Sequence, residues 1–227
     1  MGMKTALVIP HYHEKRIRNV EHTLRQSQMW KVRPDEIIVF NNNSDYSLRY
    51  QDIAKNITVI NASRNFGSSV RYGIATVCFA DIVVFQDDDL LLSDHAFGNL
   101  VDAVKKHPDS VVGMIGGDFK KGVPYREKTH VLDGECHFIL GRVSAMRREL
   151  LLQGLGLIYK HTELKDACKN HEDIPMSVAN VLAGNMNRTI PLDFQELDDG
   201  GVGLEKHGNH YTLRDSILKA VSEGVLR

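Results

Sequence analysis

Short apolar runs rich in Val, Ile and Phe alternate with longer polar stretches in which apolar residues recur every three or four positions. The first run, Thr5 to Ile9, predicts a buried strand ending in a Pro10-His11-Tyr12-His13 loop. From about Glu14 to Trp30 the spacing of Ile17, Val20, Leu24 and Ser27 predicts a helix. Pro34 and Asp35 break the chain before a second strand, Glu36 to Phe40. Asn41 to Ser44 ends it abruptly, because Asn and Ser side chains satisfy turn geometry locally. A third strand, Thr58 to Asn61, leads into Arg64-Asn65-Phe66-Gly67-Ser68 and a helix over Ser68 to Ala80. The fourth strand, Asp81 to Phe85, runs into Gln86-Asp87-Asp88-Asp89. A helix from about Ser93, read as its cap, to Lys106 follows, then a fifth strand over Val111 to Ile115. Strands alternating with helices predict the α/β class, with a mostly parallel central sheet flanked by helices.

The second half is less periodic. Lys120 to Thr129 reads as a loop, Cys136 to Leu140 as a strand and Ser144 to Leu152 as a helix. Asn170-His171-Glu172-Asp173 precedes an amphipathic run from Ile174 to Leu182, and Thr189 to Leu192 predicts another short strand. Asp198 to His210 is Gly-rich and loop-like, and a helix over about Thr212 to Val221 closes the sequence. With no repeat or linker, the 227 residues read as one domain, a nucleotide-binding half over about 1–92 and an acceptor-binding half over about 93–227.

Composition narrows the function classes. The 28 Lys and Arg against 29 Asp and Glu give a net charge of −1, which excludes a broadly basic nucleic-acid clamp but not a local basic groove. Acid concentrates at Asp87 to Asp89, Glu172-Asp173 and Asp198-Asp199, and basic residues are expected to lie largely elsewhere. Three cysteines (Cys78, Cys136, Cys168) make no disulfide framework, and no apolar stretch reaches the length of a membrane span. The N-terminus lacks the pattern of a signal peptide, so a soluble, cytoplasmic protein is expected. His137, within an apolar run, reads as a satisfied core residue.

The strongest chemical signal is the Asp triplet after a buried strand, where ligands bind at the carboxyl edge of α/β sheets. Adjacent carboxylates repel, so the spot suits a cation. Hard oxygen ligands favour Mn²⁺ or Mg²⁺, which would hold a diphosphate. A solvated acidic loop capping the next helix would present the same residues. Glu172-Asp173 at a helix start suits a general base, or an ordinary cap. In the tail, His207 or His210 could complete a metal site, with Arg214 near a phosphate; surface histidines are the competing reading. A dehalogenase-type phosphatase would need an Asp pair after the first strand, and a zincin would need HExxH. A dinucleotide fold would need GxGxxG; all three are absent.

Taken in order, these features resemble the GT-A class of nucleotide-sugar glycosyltransferases. The likeness rests on Ile9-Pro10-His11-Tyr12-His13-Glu14, Asn41 to Ser44, Asn65 to Arg71, Asp87 to Asp89, His171 to Asp173, and His210. Ile37 to Asn42, Asn170 to Ser177 and His210 to Arg214 are similar to the exostosin-type family-64 domain. Asn65 to Ser68 and the first-strand loop are more like family 2.

The resemblance implies transfer of a sugar, hexosyl or N-acetylhexosaminyl, from a UDP-sugar to a hydroxyl acceptor with Mn²⁺ or Mg²⁺. It places Pro10, Tyr12, Asn41, Asn43 and Asn65 around the nucleoside, and Arg71 at the diphosphate or sugar. Asp87 and Asp88 would contact hydroxyls, Asp89 and His210 would bind the metal, and Arg214 would stabilise the departing diphosphate. Asp173 is the implied catalytic carboxylate, a base in an inverting enzyme and a charge stabiliser in a retaining one. The acceptor could be a saccharide, a small molecule or 5-hydroxymethylpyrimidine DNA. The DNA option draws on Lys15, Arg16, Arg18, Arg25, Arg142, Arg147 and Arg148, with Tyr125 or Tyr159 for stacking. A non-catalytic nucleotide-sugar binding module is the alternative of another class.

Overall fold

A computed structural model describes residues 2–119, 123–125, 130–160, 170–198, 200–202 and 209–225. The strands are β1 (Thr5–His11), β2 (Glu36–Asn41), β3 (Ile57–Asn61), β4 (Ile82–Gln86), β5 (Leu90–Leu92), β6 (Val112–Gly113) and β7 (Gly116–Gly117). They continue with β8 (His130–Val131), β9 (Gly134–Cys136), β10 (Phe138–Ile139), β11 (Val143–Arg147), β12 (Asn187–Thr189) and β13 (Phe194–Glu196). The helices are α1 (Ile17–Ser27), α2 (Val70–Ala75), α3 (Ala96–Lys106), α4 (Arg148–Lys160), α5 (Asp173–Leu182) and α6 (His210–Val225). The main sheet has the order β3-β2-β1-β4-β11-β6-β12-β9. Its first four strands are mutually parallel, β11 enters antiparallel, and β6 and β12 pair in parallel. The sheet is therefore mixed and mostly parallel, as the alternation predicts.

The period of two along β1 builds both faces. Ala6 and Val8 point into one core with Tyr72 of α2, Leu151 of α4, Ile174 of α5 and Ile217 of α6. Leu7 and Ile9 point into the other, with Val20 and Leu24 of α1 and Phe97 and Leu100 of α3. Burial on both faces is what a parallel sheet covered by helices requires. Four strands then deliver their carboxyl ends, His11, Asn41, Asn61 and Gln86, to one edge.

Tertiary contacts override the local pattern in the second half. The helix expected over Ser144 to Leu152 is instead β11 followed by α4, because residues 143–147 fit antiparallel between β4 and β6. Most of the strand expected at Val111 to Ile115 is lost after Gly113. The chain turns there, and Gly116-Gly117 pairs with β10 in a separate three-stranded sheet of order β10-β7-β8. Glycine permits this crossing: a Cβ on Gly116 would lie 2.5 Å from Cys136 Sγ and 2.8 Å from the Phe138 carbonyl oxygen. Cys136 to Leu140 likewise splits between two sheets, and the expected Thr189–Leu192 strand lies earlier, at β12.

Smaller differences are local. α3 begins at Ala96 with His95 at its cap, not Ser93, and no side chain caps it. The helix expected over Ser68 to Ala80 is only α2, and Glu14–Arg16 is a separate 3-10 turn before α1. Most of Lys120 to Thr129, together with Cys168, Asp199 and His207, lies outside the described residues. His137 is not core; it is half-exposed, with Nδ1 2.7 Å from Asp118 Oδ1.

Candidate active site

Because β1 and β4 are parallel neighbours, the loops that follow them meet. His11 Nδ1 lies 2.7 Å from Asp88 Oδ2, and its Nε2 lies 2.9 Å from the Tyr46 hydroxyl. Asp88 is buried and its other oxygen accepts from Arg16 Nη1 at 2.9 Å; the same nitrogen lies 3.2 Å from Asp89 Oδ2. On the other side, Asp87 donates its backbone N–H to the Arg142 carbonyl, which continues the β4–β11 pairing. That pairing carries the Arg142 guanidinium to within 3.5 Å of Asp89 Oδ1, and Glu196 of β13 grips it with two bonds of 2.7 and 2.6 Å. The short ribbon β5–β13, and a bond from the Leu197 N–H to the Asp89 carbonyl, hold this rim in place.

The polar turn after β2 is scaffold. Asn41 is fully buried and donates to the Tyr46 carbonyl and Asn61 Oδ1, which fixes the turn from within. Asn43 donates to the Tyr12 carbonyl at 3.0 Å, leaving the Tyr12 ring exposed beside the half-buried Pro10. Asn42 ties the neighbouring loop: it donates to Asn65 Oδ1 and the Gly67 carbonyl and accepts from the Phe66 N–H. Gly67 has φ of 80°, a conformation that glycine adopts without steric cost.

Arg71 of α2 joins the two acidic motifs. Its Nη1 donates to Asp87 Oδ1 at 2.7 Å and to the Gly141 carbonyl at 3.1 Å, and its Nε is 3.3 Å from Glu172 Oε1. Gly141 in turn donates its N–H to Asp173 Oδ2 at 2.9 Å, and Arg214 Nη2 reaches the same oxygen at 2.7 Å. A Cβ on residue 141 would stand 3.1 Å from the Asp173 Cβ, so glycine permits the close approach. Arg214 lies over the Tyr125 ring, 4.9 Å from its centroid, and donates to its hydroxyl. His210 stands edge-on to His171, ring centroids 5.0 Å apart.

Four arginines are thus shared among the five motif carboxylates, and the expectation that cations lie elsewhere is corrected: Arg16, Arg71, Arg142 and Arg214 all sit on Asp87 to Asp89 and Glu172-Asp173. Several of the cations gathered for DNA are occupied within the chain. Arg25 pairs with Glu21, Arg148 donates to the Cys78 carbonyl, and Tyr125 is buried, whereas Tyr159 is exposed.

Burial and charge set the protonation states. Burial pushes Asp87 up to about 6 against the pull of Arg71, with Asp89 and Asp88 adding to the rise. Burial also raises Glu172 to about 7, again opposed by Arg71. At Asp173 burial acts in the same direction, but Arg214 and the Gly141 N–H outweigh it and hold the carboxyl below its ordinary value. Burial, with Arg214 and His210, lowers His171 to about 4, so its ring is neutral.

The two neighbours tilt stability in opposite directions. Asp173 supports folding above its unfolded value and loses that support as pH falls through its lower folded one. Glu172 favours folding below about 4.5 and loses that contribution as pH rises towards 7. Glu172→Gln is accordingly expected to flatten the fall in unfolding free energy between pH 5 and 8, by up to about 3 kcal/mol. Urea titrations at four pH values measure this, and an unchanged slope in the variant refutes the assignment.

Asp89 also offers a metal donor. Its Oδ1 is buried and accepts no hydrogen bond, and burial raises its carboxyl against the pull of Arg16 and Arg142. Among the described residues no three His, Cys, Asp or Glu side chains are grouped to hold an ion. Mg²⁺-type sites commonly use one or two carboxylates and complete the shell with water and substrate phosphates, so Asp89 fits that pattern.

The family model for glycosyl transferase family 2 matches residues 6–162. The chain belongs to glycosyl transferase family 2. Its GT-A fold is shared with solved structures of low identity. The crystal structure of GalNAc-T7 with UDP, GalNAc and Mn²⁺ superposes with a TM-score of 0.66 at 14% identity, over 97% of this chain and 48% of that one. The mannosyltransferase PcManGT from Pyrobaculum calidifontis, in complex with GDP-Man and Mn²⁺, superposes with a TM-score of 0.57 at 15% identity. That match covers 84% of this chain and 55% of the other. This family-2 chain thus spans about half the length of either. No curated protein matches its sequence. Among the described residues, no helix is long and apolar enough to cross a membrane.

The sequence motifs include most of the carboxylates and two of their partners, Arg71 and Arg214, but not the rest. Arg16, Arg142 and Glu196 were not assigned to the site, nor were Asn42, Tyr46 and Gly141. An arginine one turn past the first strand carries no motif of its own; only the β1–β4 pairing brings Arg16 to Asp88.

Proposed function

We propose that this family-2 glycosyltransferase moves a hexosyl or N-acetylhexosaminyl group from a UDP-sugar to a hydroxyl acceptor. The observation that carries the reading is the continuous hydrogen-bonded path Asp87–Arg71–Gly141–Asp173–Arg214, which couples the Asp triplet to the catalytic candidate. Tyr12, Pro10, Asn43 and Asn65 line the nucleoside side, with Asn41 beneath them. Asp87 and Asp88 face the ribose and sugar hydroxyls, and Arg71 faces the diphosphate. Asp89 would hold Mn²⁺ or Mg²⁺, with His210 as second ligand; the bound ion would neutralise charge on the diphosphate.

Asp173, held ionised by Arg214, orients the acceptor hydroxyl and takes its proton as that oxygen bonds to the anomeric carbon. The bond from that carbon to the diphosphate oxygen breaks, and the diphosphate leaves with the electron pair. Arg214 is a preorganised cation that offsets the charge on the leaving group. Two buried free thiols, Cys78 and Cys136, suit a cytoplasmic setting.

The test is hydrolysis and transfer with a panel of UDP-, GDP- and TDP-sugars in Mn²⁺. UDP-sugar turnover that falls at least about 100-fold in Asp89→Ala supports the reading. UDP binding without turnover over a broad acceptor panel would indicate a binding module instead. Glucosylated hydroxymethyl-DNA in the mass spectrum would identify the acceptor as DNA.

A further inference from the structure

Asp89, the carboxylate that would receive a metal, is already approached by two guanidiniums that the roles above leave unused. Arg16 Nη1 bridges Asp88 Oδ1 at 2.9 Å and Asp89 Oδ2 at 3.2 Å. Arg142 Nη2 approaches Asp89 Oδ1 at 3.5 Å. Both arginines are built to let go without collapse. Asp88 keeps its second oxygen on His11, and Arg142 keeps two bonds to Glu196. The backbone of Asp89 is fixed separately through Leu197. Arg16 grows from the short turn Glu14–Arg16, its side chain 12% exposed, and the Arg142 side chain is 34% exposed, so neither is sealed in the core.

We propose that Arg16 and Arg142 are diphosphate-binding residues that form a displaceable clamp on Asp89. They hold the carboxylate while the site is empty and transfer to the phosphate oxygens when metal and nucleotide arrive. This rests on the metal-dependent donor reading above. A divalent ion on Asp89 stands close to both guanidiniums and repels them. The diphosphate entering with it supplies anionic oxygens that match the Arg16 fork and that accept from the remaining N–H groups of Arg142. The same side chains therefore oppose the metal alone and favour the metal with its nucleotide. Lysine in place of Arg16 keeps the charge but not the fork.

The sign of the two effects is the test. Calorimetry is run on the full chain with Mn²⁺ alone, and then with UDP in saturating Mn²⁺. Arg16→Gln is expected to bind Mn²⁺ alone about 5-fold more tightly, because a cation near the carboxylate is gone. In the same variant UDP binds about 10-fold more weakly, because a charge-assisted contact is lost. Arg16→Lys keeps the wild-type metal affinity and lowers UDP affinity by less. Arg142→Gln follows Arg16→Gln in both signs and, being more exposed, serves if the first variant is poorly folded.

Loss of both affinities in Arg16→Gln and Arg142→Gln would mean that the arginines only shape the loop, and the clamp would be wrong. Unchanged affinities overturn it equally. A wild-type chain that binds neither Mn²⁺ nor UDP overturns the donor reading and the clamp together.

Discussion

Asp173→Asn is expected to slow sugar transfer about 1000-fold, within the range that a positioned acid–base group contributes. UDP affinity in the same variant stays within about twofold, since the donor-side carboxylates are untouched. Asn keeps the shape and still accepts from Gly141 and Arg214 through its amide oxygen, so the path to Arg71 stays in place. What disappears is the negative charge that Arg214 and the Gly141 N–H stabilise. Steady-state rates with the active donor, set beside calorimetric UDP binding, separate the two effects. A variant with full activity would remove Asp173 from the chemistry.

Arg71→Met carries the largest expected loss of stability, about 3 kcal/mol, because it leaves the buried Glu172 and the part-buried Asp87 without their cation. Burial already pushes both up to about 6 and about 7 with the arginine present. Without it they take up protons at neutral pH, so the deficit shrinks as pH falls. The melting temperature is expected to drop by about 10 °C at pH 8, given 2–4 °C per kcal/mol for a domain of this size. A smaller drop is expected at pH 5.5. Thermal denaturation at the two pH values checks this; equal losses at both would mean that packing around the side chain, and not charge, is what Arg71 provides.

The first half was legible because its strands are fully buried and its turns chemically distinct. Thr5 to Ile9 and Asp81 to Phe85 alternate between two cores, and nothing competes with the parallel pairing that follows. The second half resisted because its strands are two to five residues long and borrow their stability from neighbours far along the chain. Residues 143–147 have no strand periodicity strong enough to outweigh the helical pattern into which they run; only the gap between β4 and β6 decides. The site divided in the same way. Carboxylates advertise themselves by following a buried strand or opening a helix. Of their arginines, Arg71 and Arg214 fall within motifs and are legible, whereas Arg16 comes from a turn and Arg142 from just before β11, and only the fold brings those two in.

The main chain at residue 141 joins the two acidic motifs, its carbonyl on Arg71 and its N–H on Asp173. The link is made by backbone atoms alone, yet an exchange at that position can break it: an added Cβ would stand 3.1 Å from the Asp173 Cβ, and proline would remove the N–H. It also constrains how this chain could be recombined with another. A chimera whose junction lies before residue 140 replaces the coupling turn and leaves the Asp triplet unlinked to the carboxylate at 173. A junction placed after β11 carries the turn over intact, provided that the grafted half supplies a carboxylate where Asp173 stands.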